Sequence, residues 1–68
     1  MNGKQNSYIV IDVLDQSGHF VAMDMVFPSE EKSIAELFLK DGFGATVEEK
    51  ISVQSNIERW IARITEEV

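Results

Sequence analysis

Apolar and polar positions alternate with a period of two through the first third of the chain. Tyr8–Leu14 reads YIVIDVL and His19–Phe27 reads HFVAMDMVF. Both runs are rich in β-branched and aromatic residues, so two strands are predicted. Between them Asp15-Gln16-Ser17-Gly18 has the aspartate-first, glycine-fourth signature of a type I turn closed by a one-residue bulge. Counting outward from that turn sets Asp15 against His19, Leu14 against Phe20, Val13 against Val21, Asp12 against Ala22, Ile11 against Met23, Val10 against Asp24 and Ile9 against Met25. One face then collects Ile9, Ile11, Val13, Val21, Met23, Met25 and Phe27 without a charge, which makes it the expected core face. The other carries Tyr8, Val10, Asp12, Leu14, Phe20, Ala22, Asp24 and Val26.

After Pro28 the period lengthens. Pro28 ends the extended run, Ser29 or Ser33 is placed to cap a helix, and Glu30 and Glu31 suit the positive end of its dipole. Ile34, Leu37 and Phe38 form the expected inward stripe, with Ala35 and Leu39 outside it. Gly42 is the expected stop, with Phe43 folding back onto the last turn. Thr46–Val53 reads as a weaker strand with Val47, Glu49, Ile51 and Val53 on one face and Thr46, Glu48, Lys50 and Ser52 on the other. Finally, Ile57, Trp60, Ile61, Ile64 and Val68 fall at helical spacing behind a Ser55/Glu58 capping box, so 55–68 is predicted to be an amphipathic helix with Arg59, Arg63 and Glu66 outward.

The order β-β-α-β-α implies a single α+β domain over 7–68 behind a loose tail, Met1–Asn6. The helix between the second and third strands returns the chain parallel to the second, and the place left for the third strand is beside the first. The expectation is a three-stranded antiparallel sheet in order 2-1-3, with both helices on the clean face.

Composition narrows the function classes. The 68 residues contain no cysteine, excluding disulfides, thiolate chemistry and cysteine-ligated zinc. No apolar run is long enough for a membrane span and the start MNGKQNS lacks a signal-peptide core, so a cytoplasmic protein without membrane contact is expected. Twelve acidic residues against six basic ones give a net charge of −6. That balance disfavours direct nucleic-acid binding and suits a protein partner with a basic surface.

Catalytic patterns do not assemble. Asp15, Ser17 and His19 are the residue types of a hydrolytic triad, but one solvated turn offers neither a buried base nor an oxyanion hole. Gly42-Phe43-Gly44 lies after a helix and before a strand, the reverse of a dinucleotide-binding loop. His19 is the single histidine. No catalytic residue, metal ligand or cofactor site is assigned, and the chain is expected not to be an enzyme. Small size and acidity resemble those of many small phage or bacterial regulatory proteins, without a motif that transfers a site.

What stands out is Asp12 with Asp24. They lie diagonally on the outer sheet face, close enough for one cation to touch both, among Tyr8, Val10, Leu14, Phe20 and Val26. These seven residues are the candidate partner-binding set. The expected function is a small acidic, non-enzymatic interaction or regulatory module, a homodimer, that holds a protein partner on this face or along the free edge of the second strand. The alternative is an inhibitor of the phage anti-defence (anti-CRISPR-like) kind, presenting Asp12, Asp24, Glu48 and Glu49 to a basic nucleic-acid-binding site.

Overall fold

A computed structural model describes residues 6–66. The chain runs β1 (Tyr8–Leu14), β2 (Phe20–Pro28), a 3-10 turn (Ser29–Glu31), α1 (Lys32–Phe38), a π turn (Leu39–Phe43), β3 (Ala45–Gln54) and β4 (Ile57–Ile64). The strands form one mixed sheet in order β2-β1-β4-β3, with β1 and β4 parallel and the outer pairs antiparallel. It is a small α+β fold with α1 on one sheet face.

The largest departure from expectation is the last segment, a strand in place of a helix. In β4 the side chains alternate: Trp60, Ala62 and Ile64 pack with the core, while Ile57, Arg59, Ile61 and Arg63 take the other face. Apolar residues at i, i+3, i+4 and i+7 fit either a helical stripe or a strand that is apolar on both faces, as a central strand is. Isoleucine and tryptophan pack well on a pleated surface and are mediocre helix formers. The capping box does not form. Ser55 and Asn56 make a two-residue connection from β3, and Glu58 instead accepts the Trp60 Nε1–H at 2.9 Å. Val68 lies outside the described residues.

β4 therefore takes the place beside β1 that the third strand was expected to fill. β3 moves to the edge, so the order is not 2-1-3, the sheet is not wholly antiparallel, and one helix rather than two covers it. The helical crossover still returns the chain in the direction of β2, as expected. Asn6, the one described residue of the expected tail, accepts a hydrogen bond from Asn56 through its carbonyl.

The β1–β2 turn forms as the sequence implies. Gly18 adopts φ 92°, Asp15 Oδ1 accepts the Ser17 and His19 N–H groups, and the Leu14–Phe20 pair follows. Beyond it the register slips twice. Val13 pairs with Ala22 and Ile11 with Met25, which leaves Val21 as an extra residue and sets Met23 and Asp24 together opposite Asp12. These bulges turn Ala22 toward the core and leave Val21 and Met23 exposed, reversing all three assignments. β3 carries two similar shifts, at Glu48 and at Val53. The first separates Val47, which packs with the core, from Ile51, which shares the face of Arg59.

α1 turns a different side inward than its pattern suggests. Ala35 and Leu39 are 0% and 1% exposed, whereas Ile34 and Leu37 are 57% and 58% exposed. Ala35 has little side chain to hold the helix off the sheet. The 3-10 turn before α1 and the π turn after it alter the residue-per-turn count, so the inward side does not follow a uniform 3.6 period. Phe38 is left at the side, between Phe27 (ring centroids 5.8 Å) and Phe43 (5.6 Å). The helical run passes through Gly42 and stops at Gly44, which takes the left-handed conformation at φ 63°. Beneath α1 lie Ile9, Ile11, Val13, Trp60 and Ala62, with Lys50 stacked on the Trp60 ring at 4.4 Å and paired with Glu36 at 3.8 Å.

Candidate functional site

The sheet face opposite α1 carries no described helix. On β1 it is formed by Tyr8, Val10, Asp12 and Leu14, on β2 by Phe20, Asp24 and Val26, on β4 by Ile57, Arg59, Ile61 and Arg63, and on β3 by Glu49 and Ile51. All seven residues singled out from the sequence share this face. Tyr8, Phe20 and Val26 are exposed, and Val10 and Leu14 are half-buried.

Its centre is a charged network. Asp12 is only 6% exposed. Its Oδ2 accepts Arg59 Nη1–H at 2.7 Å, and its Oδ1 accepts the backbone N–H of Asp24 at 2.9 Å. The same Arg59 nitrogen reaches Asp24 Oδ1 at 3.2 Å. Asp24 is the one described non-glycine residue with a positive φ, 57°, a conformation that aspartate tolerates better than bulkier residues do. The bulge makes this geometry possible. With Met23 and Asp24 both facing Asp12, the second residue turns its N–H onto the Asp12 carboxylate and its own carboxylate outward, where the side chain is 72% exposed. Hydrogen bonds from Arg59 to Asp12 first, and then to Asp24, hold the guanidinium pKa above its ordinary value.

The cation that bridges the two aspartates thus comes from the chain itself. Arg59 on β4 reaches across β1 to β2 and ties three strands together. Arg63, one alternation pair further along β4, does the same at the sheet's end: its Nε donates to Glu48 on β3 at 3.0 Å and its Nη1 to the Asp15 carbonyl at 3.2 Å. A helix over 55–68 places both arginines on a solvated side and gives them neither role. The signal present in the sequence is the period-two run Ile57, Arg59, Ile61, Arg63.

Asp15, Ser17 and His19 sit together in the β1–β2 turn. Asp15 is used in turn closure: chiefly the His19 N–H bond, followed by Ser17 N–H, lowers its pKa below the usual carboxylate value. Its Oδ2 lies 3.8 Å from His19 Nδ1. A depression of about 420 Å³ between the end of the helical run and β3 is bordered by Glu36, Leu39, Lys40, Thr46, Thr65 and Glu66. Its hydroxyls are engaged with each other and with the Gly44 carbonyl. Among the described residues no three His, Cys, Asp or Glu side chains gather as a metal site needs, and no helix is long and apolar enough to cross a membrane.

Compared with protein-family models, with curated proteins and with solved structures, the chain gives no match.

Proposed function

We propose that this protein is a non-enzymatic interaction module that docks a protein on the outer sheet face. The observation that supports it most is the company the charges keep. Large apolar side chains, Phe20 at 54% and Val26 at 59% exposure among them, surround Asp12, Asp24 and Glu48, which the chain pairs with its own arginines, while Glu49 on the edge strand lies outside those pairs. A face kept soluble by its charges has no need to pair them, whereas a face that is to lose its water does, because an unpaired charge is costly to desolvate. Contact there is carried by apolar area, so binding is tolerant of salt. The same pairing weighs against carboxylate mimicry of a nucleic acid, since Asp12, Asp24 and Glu48 are engaged within the chain.

The test compares what the immobilised chain retains from the source lysate, its own copies included, with what Phe20→Asp and Leu37→Asp variants retain. Loss with Phe20→Asp and retention with Leu37→Asp, both unchanged by raised salt, is the expected result. Identical retention by all three chains sinks the docking face, and retention abolished by salt revives the electrostatic alternative.

A further inference from the structure

We infer that the occupant of the outer face is a second copy of this chain, stacked sheet against sheet to give an eight-stranded sandwich. The inference rests on the outer face being a docking surface and adds what docks there. Its first support is the internal packing. Among the described residues the buried apolar set has eight members, three of them alanine, and ten large apolar side chains remain exposed. A domain this small usually needs a staple or a partner, and with no cysteine in the chain it has no disulfide.

The second support is the division of the basic residues. Both arginines, Arg59 and Arg63, lie on the outer face, whereas the described lysines, Lys32, Lys40 and Lys50, lie on the helix or on the helix-bearing side. Arginine is enriched and lysine depleted in the desolvated parts of interfaces. Arg59 and Arg63 pair with Asp12, Asp24 and Glu48 of their own chain, and the excess of carboxylate over guanidinium falls on the two edge strands, at Asp24 and Glu49, where the rim of the stack keeps it in water.

Area is the third support. Four strands at about 4.8 Å spacing and seven residues at about 3.3 Å give a face of roughly 19 by 23 Å. Side-chain relief makes its accessible area larger than that projection, so two copies bury on the order of 1,200 Å², the lower end of stable interfaces. Stacked sheets pack about 10 Å apart with their strands near −30°, a spacing that Tyr8, Phe20 and Ile51 are large enough to fill.

The other routes to self-association are less suited. Both edge strands carry two bulges, a device that blocks edge-to-edge pairing. The exposed helix ridge of Ile34, Leu37 and Phe38 has Glu30 and Glu31 before it and Asp41 after it. Lys32 and Lys40 stand beside those acids, so charge does not decide against a helix pair, but the ridge offers three large apolar side chains where the outer face has Tyr8, Phe20, Val26 and Ile51 exposed and Val10, Leu14, Ile57 and Ile61 half-buried.

Sedimentation equilibrium of the wild-type chain, with a soluble paramagnetic agent mapping side-chain exposure by NMR, tests this directly. The expected result is twice the 7.7 kDa chain mass, with Tyr8, Phe20, Val26 and Ile51 shielded and Ile34 and Leu37 broadened. Phe20→Asp with Val26→Asp should weaken association about a hundredfold. A single-chain mass up to millimolar concentration overturns the second copy, leaving the docking face to the retention test. Twice the mass with Ile34 and Leu37 shielded and the outer set broadened overturns it as well, by placing the dimer on the helix ridge.

Discussion

Asp12 and Asp24 are joined by a hydrogen bond in which the Asp12 carboxylate accepts the Asp24 backbone N–H at 2.9 Å, across the bulge that puts Asp24 at φ 57°. One buried carboxylate thus fixes both the backbone of an edge strand and, through Arg59, the link to β4.

Asp12→Ala should therefore cost about 2–4 kcal/mol in urea unfolding, since it strands the Asp24 N–H and a guanidinium. The lower half of that range is favoured because Arg59 keeps 34% of its side-chain surface exposed. Asp24→Asn should change stability by less than about 0.5 kcal/mol. Asparagine tolerates the left-handed backbone and keeps the N–H bond, losing only an exposed arm of the ion pair.

Leu39 and Leu37 form a paired test of which side of the helix faces the sheet. Leu39→Ala should cost about 2–4 kcal/mol through the cavity left among Ala35, Ala45 and the sheet. Leu37→Ala should stay within about 0.5 kcal/mol by the same measurement. Equal costs would restore the stripe that periodicity suggests.

Gly44 closes the helical run at φ 63°, and a Cβ there would lie 3.1 Å from that of Glu66. Gly44→Ala combines left-handed strain with this close approach and should lower stability by about 1–2 kcal/mol, measured by thermal unfolding. Gly42→Ala, whose new Cβ would meet only the edge of the Phe38 ring at ordinary contact distance, should be neutral or mildly stabilising.

Asp15 gives a pH dependence with a defined sign. Hydrogen bonds from His19 and Ser17 lower its folded pKa below 3.8, so its contribution to stability is present above that value and disappears as pH falls through the folded one. Carboxyl NMR titration should place its midpoint below 3.8. Asp15→Asn should be the less stable chain at neutral pH and converge with wild type in acid. A midpoint at or above the ordinary aspartate value would remove the turn-closing role.

These residues also show what can be read from a single chain. The β1–β2 turn was legible because its chemistry is local: Asp15 and Gly18 act on residues within four positions. The seven residues of the outer face were legible because strand alternation survives the bulges at those positions. Val21, Ala22 and Met23 were not, since a bulge is one extra residue and strict alternation carries no mark of it. Arg59 and Arg63 were missed for a different reason. The spacing of Ile57, Trp60, Ile61 and Ile64 satisfies a helix as well as a strand buried on both faces, and only pairing with β1, some fifty positions away, decides between them.

That pairing also sets how the fold bears load. β1 and β4 are parallel neighbours, with Tyr8 opposite Ile57 and Leu14 opposite Arg63. A force applied between Tyr8 and Ile64 pulls the two central strands past each other along their length. Their evenly spaced hydrogen bonds then share the load at once rather than opening one after another from an end. The sheet is a shear clamp along this axis, whereas β2, held at its turn end beside β1, can be peeled away bond by bond. Resistance to pulling is thus greatest along the line that joins the first described strand to the last, and it resides in the seam that brings the two halves of the chain together.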